Sequence, residues 1–141
     1  MQNPNARIVA LDVGEKRIGV ASANVVARLA QPLSTISVGD TVLEDIQRIL
    51  ASETACALVV GLPRNLNSQE TEQTRTVQAF VEKLQACVTV PIYWQDEALT
   101  SHVAEEALEA RNKPYNKGDI DALAATHILE DYLANNATGQ A

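Results

Sequence analysis

The residues Ile8-Val9-Ala10-Leu11-Asp12-Val13-Gly14-Glu15-Lys16-Arg17-Ile18-Gly19-Val20-Ala21 contain two apolar runs joined by a tight turn. We predict strands over residues 7–12 and 17–23, paired as an antiparallel hairpin. Asp12 closes the first apolar run, where a carboxylate costs several kcal/mol unless a cation or hydrogen-bond donors compensate for it. The hairpin therefore predicts the start of a sheet, and its acid indicates a place for a divalent cation.

The size and charge of the chain limit what it can be. Its 141 residues suit one domain, which we place at 7–135 between flexible ends at 1–6 and 136–141. No apolar stretch approaches the roughly 20 residues of a membrane helix, so we expect a cytoplasmic protein without a membrane partner. The formal charge of −7 argues against a protein that coats nucleic acid nonspecifically, because such proteins usually carry a broad basic surface.

The rest of the chain alternates between strand and helix signals. Further strands are predicted at residues 33–37, 57–61 and 90–95. The predicted helices begin at Asp40, at the capping-box-like pair Asn67 and Glu70, at Thr100 and at Gly118-Asp119, and the first, third and fourth end near Glu53, Ala110 and Asn135. This order, βββαβαβαα, predicts an α/β fold with a five-stranded mixed sheet and helices on both faces.

Three acids are expected at one edge of this sheet. Asp12 ends the first strand and Glu97 follows the fifth, and we expect that these strands can be neighbours. Asp121 falls in the first turn of the last helix, whose amino end can face the same edge. Clustered carboxylates favour Mg²⁺ or Mn²⁺. Phosphodiester cleavage fits, since two ions about 3.5–4 Å apart can acidify the attacking water and stabilise the leaving oxygen.

Each acid also has a structural explanation. Asp12 can form an Asx turn beside the hairpin, and Glu97 can be a solvated loop residue. Asp121 sits where an acid interacts favourably with the helix dipole. Asp96 and Asp119 are competing candidates for the same ligand positions, although Asp119 can simply cap the helix.

Four segments of the chain match a known pattern: residues 10–21, Val60-Gly61-Leu62-Pro63, Trp94-Gln95-Asp96-Glu97-Ala98-Leu99-Thr100, and Asp121-Ala122-Leu123-Ala124-Ala125 followed by Ile128-Leu129. Together and in this order, they resemble the YqgF/RuvX family of RNase H-like nucleases. The resemblance implies an RNase H-like fold, a catalytic and metal-binding triad of Asp12, Glu97 and Asp121, and hydrolysis that leaves a 5′-phosphate and a 3′-hydroxyl. It also implies a role in maturing the 5′ end of pre-16S rRNA, with ribosomal particles as partners.

Basic and polar residues near the same edge are candidate substrate contacts. Lys16 and Arg17 follow the hairpin turn and can hold a phosphate, although such residues are as often plain surface. The other candidates are Arg64, Asn65 and Thr100. Gly61 is expected to admit the backbone of a nucleic acid.

Two departures from the family pattern affect this site. Ala98 stands where members usually carry Arg, and Ala23-Asn24 stands where Ser-Asp is frequent, so a phosphate contact and a nearby carboxylate are lost.

His127 is predicted to be a partly buried histidine whose nitrogens are satisfied. Of Tyr93 and Trp94, at least one should belong to the core.

Three other functions remain open from the sequence. A Holliday junction resolvase uses the same chemistry on four-way DNA, but it needs a dimer and a broad basic face. A phosphotransferase or ATPase of the actin and sugar-kinase type also begins with a strand, an acid and a turn, but it needs two domains. A noncatalytic RNA-binding module can keep the fold. We expect RNA or structured DNA as the partner, and a monomer or weak dimer.

Overall fold

The computed structural model describes residues 4–63, 70–97 and 117–136. Its strands β1 to β5 span Arg7–Val13, Arg17–Asn24, Gln31–Ser37, Ala55–Pro63 and Ile92–Glu97. Its helices α1 to α3 span Val42–Ser52, Glu72–Gln85 and Lys117–Asn135. Every predicted strand is found with its ends shifted by no more than two residues. The helix predicted from Thr100 to Ala110 lies outside the described residues.

The strands form one mixed sheet in the order β3-β2-β1-β4-β5. Strand β2 is antiparallel to both β1 and β3, whereas β1, β4 and β5 run parallel. The prediction of a five-stranded mixed sheet is confirmed. The expectation that the first and fifth strands can be neighbours is wrong, because β4 separates them. Strand β4 is almost wholly buried and β5 only half-buried, so β4 takes the inner position and β5 the edge.

Helices cover both faces of the sheet, as predicted. Alternate residues of β1 point to opposite faces, so Val9 and Leu11 pack with α1 and α2, whereas Ile8 and Ala10 pack with α3. The first core includes Ile46, Leu50, Val77, Val81 and Leu84, and the second includes Ala125, Ile128, Leu129, Tyr132 and Leu133. No helix in the described ranges is long and apolar enough to cross a lipid bilayer.

Helix α1 begins one residue later than predicted. Its N-cap is Thr41, not Asp40, and the Thr41 hydroxyl contacts the Asp45 carboxylate at 3.1 Å instead of a backbone N–H. The Val42 N–H donates to the Gly39 carbonyl at 3.2 Å, so a backbone turn satisfies the helix end and the Asp40 side chain is not needed there.

Helix α2 begins with a different capping box from the one predicted. The Thr71 N–H donates to the Thr74 hydroxyl at 2.9 Å, and the Thr74 N–H donates to the Thr71 hydroxyl at 3.3 Å. The Thr74 hydroxyl also bonds the Pro63 carbonyl, which ties this helix to the end of β4. The pair Asn67 and Glu70 is therefore not the cap, since reciprocal threonine bonds satisfy the helix start nearer the helix. Asn67 itself lies outside the described residues.

Two glycines allow α3 to lie close against the sheet. A Cβ at Gly19 would overlap the carbonyl oxygen of Asp121, and a Cβ at Gly61 would overlap Cδ1 of Ile128. The expectation that Gly61 admits a nucleic-acid backbone is wrong, because Gly61 lies within β4 and Ile128 fills the space above it. Both glycines instead set the distance between α3 and the sheet.

We predict that Gly19→Ala lowers the free energy of unfolding by about 3 kcal/mol, because the helix backbone must shift to admit a methyl group. Urea unfolding measures this change. The matched control is Gly39→Ala, where a Cβ would meet nothing within 4 Å. That variant should change stability by less than about 1 kcal/mol. Equal stabilities of the two variants would contradict the close approach.

Candidate active site

Asp12 lies on the face of the sheet that α3 covers, at the carboxyl end of β1. Its position follows from strand alternation, since Ile8 and Ala10 on the same face belong to the core under α3. Asp12 is paired with Gly19 of β2, the residue over which the Asp121 backbone passes. The hairpin register and the packing of α3 therefore bring the predicted first and third acids to the same place.

The electrostatics of Asp12 reflect this neighbourhood. Burial, and secondarily the negative charge of Asp121, raise the pKa of Asp12 from 3.8 to about 6. Desolvation disfavours the charged form of a carboxyl group, and a like charge nearby adds to the effect. The two acids therefore repel each other when both are ionised, and a cation between them would reduce this repulsion.

Arg17 provides one such cation within the protein. Its Nε lies 2.6 Å from Oδ2 of Asp121, and the two side chains are 35% and 20% exposed. Arg17 stands two residues before Gly19 on β2, so it points to the same face as Asp12. Lys16, the other basic residue of the turn, is exposed and makes no ion pair with a residue in the described ranges.

Glu97 ends β5 and faces the same side of the sheet. Tyr93 and Gln95 stand four and two residues before Glu97, so the three side chains share one face of the strand. The ring centroid of Tyr93 lies 5.9 Å from that of Tyr132 on α3, and Oε1 of Gln95 accepts a hydrogen bond from Asn135 of α3 at 3.3 Å, so this face is the one that α3 covers. Because β4 lies between β1 and β5, the backbones of Asp12 and Glu97 are separated by at least two strand spacings, about 10 Å, and the strand register sets Glu97 further along the sheet. Glu97 thus shares the face and the edge of the sheet with Asp12 and Asp121 but lies apart from them.

The donor chemistry of this edge fits a hard divalent cation. Asp12 and Asp121 offer carboxylate oxygens, the ligands that Mg²⁺ and Mn²⁺ prefer, in a place where their own charges repel. Within the described residues, no three Asp, Glu, His or Cys side chains are close enough together to hold one ion. The pair of Asp12 and Asp121 is therefore the part of the predicted triad that the structure brings together, and the complete triad stays a prediction.

The remaining candidates fall into three groups. Three candidate contacts lie outside the described residues, namely Arg64, Asn65 and Thr100, and so does the departure at Ala98. Asp96 is exposed and, one residue from Glu97, points to the opposite face. The backbone of Asp119 belongs to α3, but its side chain is not among those described.

Two aromatic positions and one histidine complete the comparison with prediction. Tyr93 packs in the core under α3 and Trp94 is 39% exposed, as expected for adjacent strand residues. His127 is partly buried as predicted, with Nδ1 3.2 Å from Oε1 of Glu130. Its Nε2 is buried without a hydrogen-bond partner among the described residues, so the prediction of a fully satisfied histidine is not met there.

No role was predicted for Arg28 from the sequence, yet it binds the C-terminal end of α3. Its Nη2 donates to the carbonyls of Leu133 at 3.1 Å and Asn136 at 2.6 Å, where a helix has unsatisfied acceptors. Arg28 adopts the left-handed region with a φ of 56°. No local pattern connects residues more than a hundred positions apart. Gly19, in contrast, had a signal, since a glycine inside a buried strand indicates close approach of another backbone.

Comparison with known proteins identifies the family. The family model described as "RuvX: Holliday junction resolvase" matches residues 6–135. The chain belongs to the RuvX family. A protein of Roseiflexus sp. (strain RS-1) named "Putative pre-16S rRNA nuclease" is 39% identical over 137 residues, which are 94% of this chain and 97% of the relative. The protein of the same name from Rickettsia canadensis (strain McKiel) is 38% identical over 135 residues, covering 92% and 87% of the two chains.

Solved structures share the fold of this RuvX protein at low sequence identity. Thermus thermophilus RuvC in complex with a Holliday junction substrate matches with a TM-score of 0.56 and 16% identity, covering 94% of this chain and 97% of that chain. The fowlpox virus resolvase in complex with Holliday junction DNA matches with a TM-score of 0.55 and 7% identity, covering 92% and 98%. The predicted RNase H-like fold is confirmed.

We predict that Asp12→Asn stabilises the metal-free protein at neutral and alkaline pH. A carboxyl group whose pKa is raised on folding stabilises the native state below its unfolded pKa, and this contribution is lost as the pH rises through the folded value of about 6. Asn cannot ionise, so the variant does not lose this stabilisation. Its free energy of unfolding should exceed that of wild type by up to about 3 kcal/mol near pH 8. Urea unfolding in EDTA measures the difference, which should vanish below about pH 4.

The control for this experiment is Asp131→Asn, which removes the same charge from an exposed position on α3. It should show no comparable gain near pH 8. A gain for Asp12→Asn that is the same at acidic and alkaline pH would contradict burial of an ionisable Asp12.

Proposed function

We propose that this RuvX protein is a metal-dependent nuclease that hydrolyses phosphodiester bonds and leaves a 5′-phosphate and a 3′-hydroxyl. The observation that carries the proposal is the partly buried pair of Asp12 and Asp121 at the carboxyl edge of the sheet, brought together by the passage of α3 over Gly19. Asp12 and Asp121 would hold a first cation, and Glu97 would complete the site for it or for a second.

We propose the precursor of 16S rRNA as the substrate. Relatives that carry the name of such a nuclease are 38–39% identical and match this chain over nearly its whole length. The formal charge of −7 supports a substrate that is presented by a ribosomal particle over one captured by a broad basic surface. We place the reaction in the cytoplasm, with the protein acting as a monomer or weak dimer.

The residues of the chain prepare the site in three ways. Partial burial of Asp12 limits its contact with water, so that charges there act at a lower dielectric than in solution. The contact of α3 with Gly19 fixes the backbone of Asp121, whose carboxylate pairs with Arg17 while no cation is bound. When bound, a divalent cation supplies Lewis acidity to the phosphoryl oxygens and makes a neighbouring water more acidic. Lys16, exposed beside this site, can attract the phosphate backbone.

A Holliday junction resolvase is the second candidate. The description of the matching family model and the solved neighbours favour it. Those neighbours are only 16% and 7% identical, so they support the fold more than the substrate. The named relatives with far higher identity favour RNA.

The first test is cleavage of a single-stranded RNA that spans the 5′ end of the precursor, with Mg²⁺, Mn²⁺ or EDTA. We expect cutting with either metal and none in EDTA. Asp12→Asn and Asp121→Asn should each reduce the rate by at least about 10³-fold, because several kcal/mol of charge stabilisation depends on the cation that they hold. The exposed Asp131→Asn should cut like wild type, which controls for loss of one negative charge.

The substrate is decided by a parallel assay on a four-way DNA junction. Paired symmetric nicks in the junction, with intact RNA, would replace the proposed rRNA role by junction resolution. Equal cutting by wild type and Asp12→Asn would trace the activity to a contaminant. Failure of the folded wild type to cut either substrate with metal would favour a noncatalytic RNA-binding module.

A further inference from the structure

The ion pair between Arg17 and Asp121 engages a carboxylate that the proposed cation would also bind. Oδ2 of Asp121 lies 2.6 Å from Nε of Arg17, a charge-assisted hydrogen bond of short length. The negative charge of Asp121 also acts on Asp12, the other acid of the site. In the protein without a bound cation, the guanidinium therefore provides the positive charge that the two carboxylates require.

The charges of the cluster disfavour keeping this ion pair once a cation has bound. Ionised Asp12, ionised Asp121 and Arg17 together carry a net charge of −1. A divalent cation added to them leaves a net charge of +1 in a partly buried place, where uncompensated charge is costly. A phosphate diester carries one negative charge and would restore neutrality if Arg17 turned toward it.

Arg17 can leave Asp121 without disturbing the position of the helix. Its side chain is 35% exposed, so it lies at the opening of the site. The backbone of Asp121 remains fixed by its contact with Gly19, and the far end of α3 remains bound by Arg28. The ion pair therefore controls the charge of the Asp121 carboxylate more than the location of the helix.

We propose that Arg17 is a positioning residue that occupies Asp121 until a divalent cation displaces it, and that the displaced guanidinium then faces the phosphate of the substrate. This inference rests on the cation site in the proposed function. It couples the two binding events, because the cation frees the group that receives the anion and the anion offsets the charge that the cation adds.

The test is calorimetric titration of Mg²⁺ into wild type, Arg17→Gln and Lys16→Gln in the absence of nucleic acid. Arg17→Gln should bind Mg²⁺ about tenfold more tightly, a change of about 1.4 kcal/mol, because the cation no longer displaces a competitor. Lys16→Gln removes the same charge from the adjacent exposed residue and should tighten binding by less than about twofold, since exposed charges are screened. Arg17→Lys keeps the charge and should stay close to wild type.

A spectroscopic signal follows the exchange of partners directly. The ¹H–¹⁵N resonance of Arg17 Nε, identified by its absence in Arg17→Gln, should be observable in metal-free protein because its proton is hydrogen-bonded. Saturating Mg²⁺ should shift this resonance and speed its exchange with water. A resonance that Mg²⁺ leaves unchanged would show that the ion pair persists, and would overturn the inference.

The titrations separate failure of this inference from failure of the proposed function. Weaker Mg²⁺ binding by Arg17→Gln would mean that Arg17 assists the cation, and equal effects of Arg17→Gln and Lys16→Gln would mean only through-space repulsion. Either result overturns the exchange of partners and leaves the cation site intact. If no variant binds Mg²⁺ and RNA cleavage is also absent, the proposed function fails together with this inference.

Discussion

The position of α3 on the sheet is the constraint on which the rest of the structure depends. This helix packs mainly against β1, β2 and β3, and it comes so close to β2 that a side chain at Gly19 would collide with the Asp121 carbonyl. The same contact gives the second core its tight packing and places an acid from the end of the chain beside Asp12. Folding and assembly of the site are therefore one event, because neither acid reaches the other until α3 has docked.

Much of the architecture could be predicted from local pattern. Apolar runs with turns between them located all five strands, because burial in a sheet imposes continuous hydrophobicity. Strand order was harder, since it depends on which strand tolerates an edge position, and β4 proved to be the inner one. The helix starts at Thr41 and Thr71 also differed from prediction, because several neighbouring polar residues can cap a helix and the backbone path decides among them.

For the candidate site, the sequence indicated which acids to consider but not how they are arranged. The position of Asp12 at the end of a buried strand signalled its unusual environment, and its raised pKa agrees with that signal. The partner of Arg17 could not be inferred, because it is 104 residues away and depends on how α3 lies. The same applies to Arg28, whose acceptors are more than a hundred residues further on. Glu97 was placed correctly on the edge, but the intervening β4 keeps it apart from the other acids.

Arginines bind α3 near both of its ends, Arg17 at Asp121 and Arg28 at Leu133 and Asn136, so a small change of the helix angle at one end moves the other end. Asp121 stands twelve positions before Leu133, whose carbonyl Arg28 binds, a distance of about 18 Å along the helix. A tilt of only about 3° around the Arg28 end would move Asp121 by about 1 Å, a misplacement that can cost about a hundredfold in rate. Substitutions in the connection between β2 and β3, which is remote from the three acids, would then lower the reaction rate by tilting α3. They would do so without changing any contact within the site.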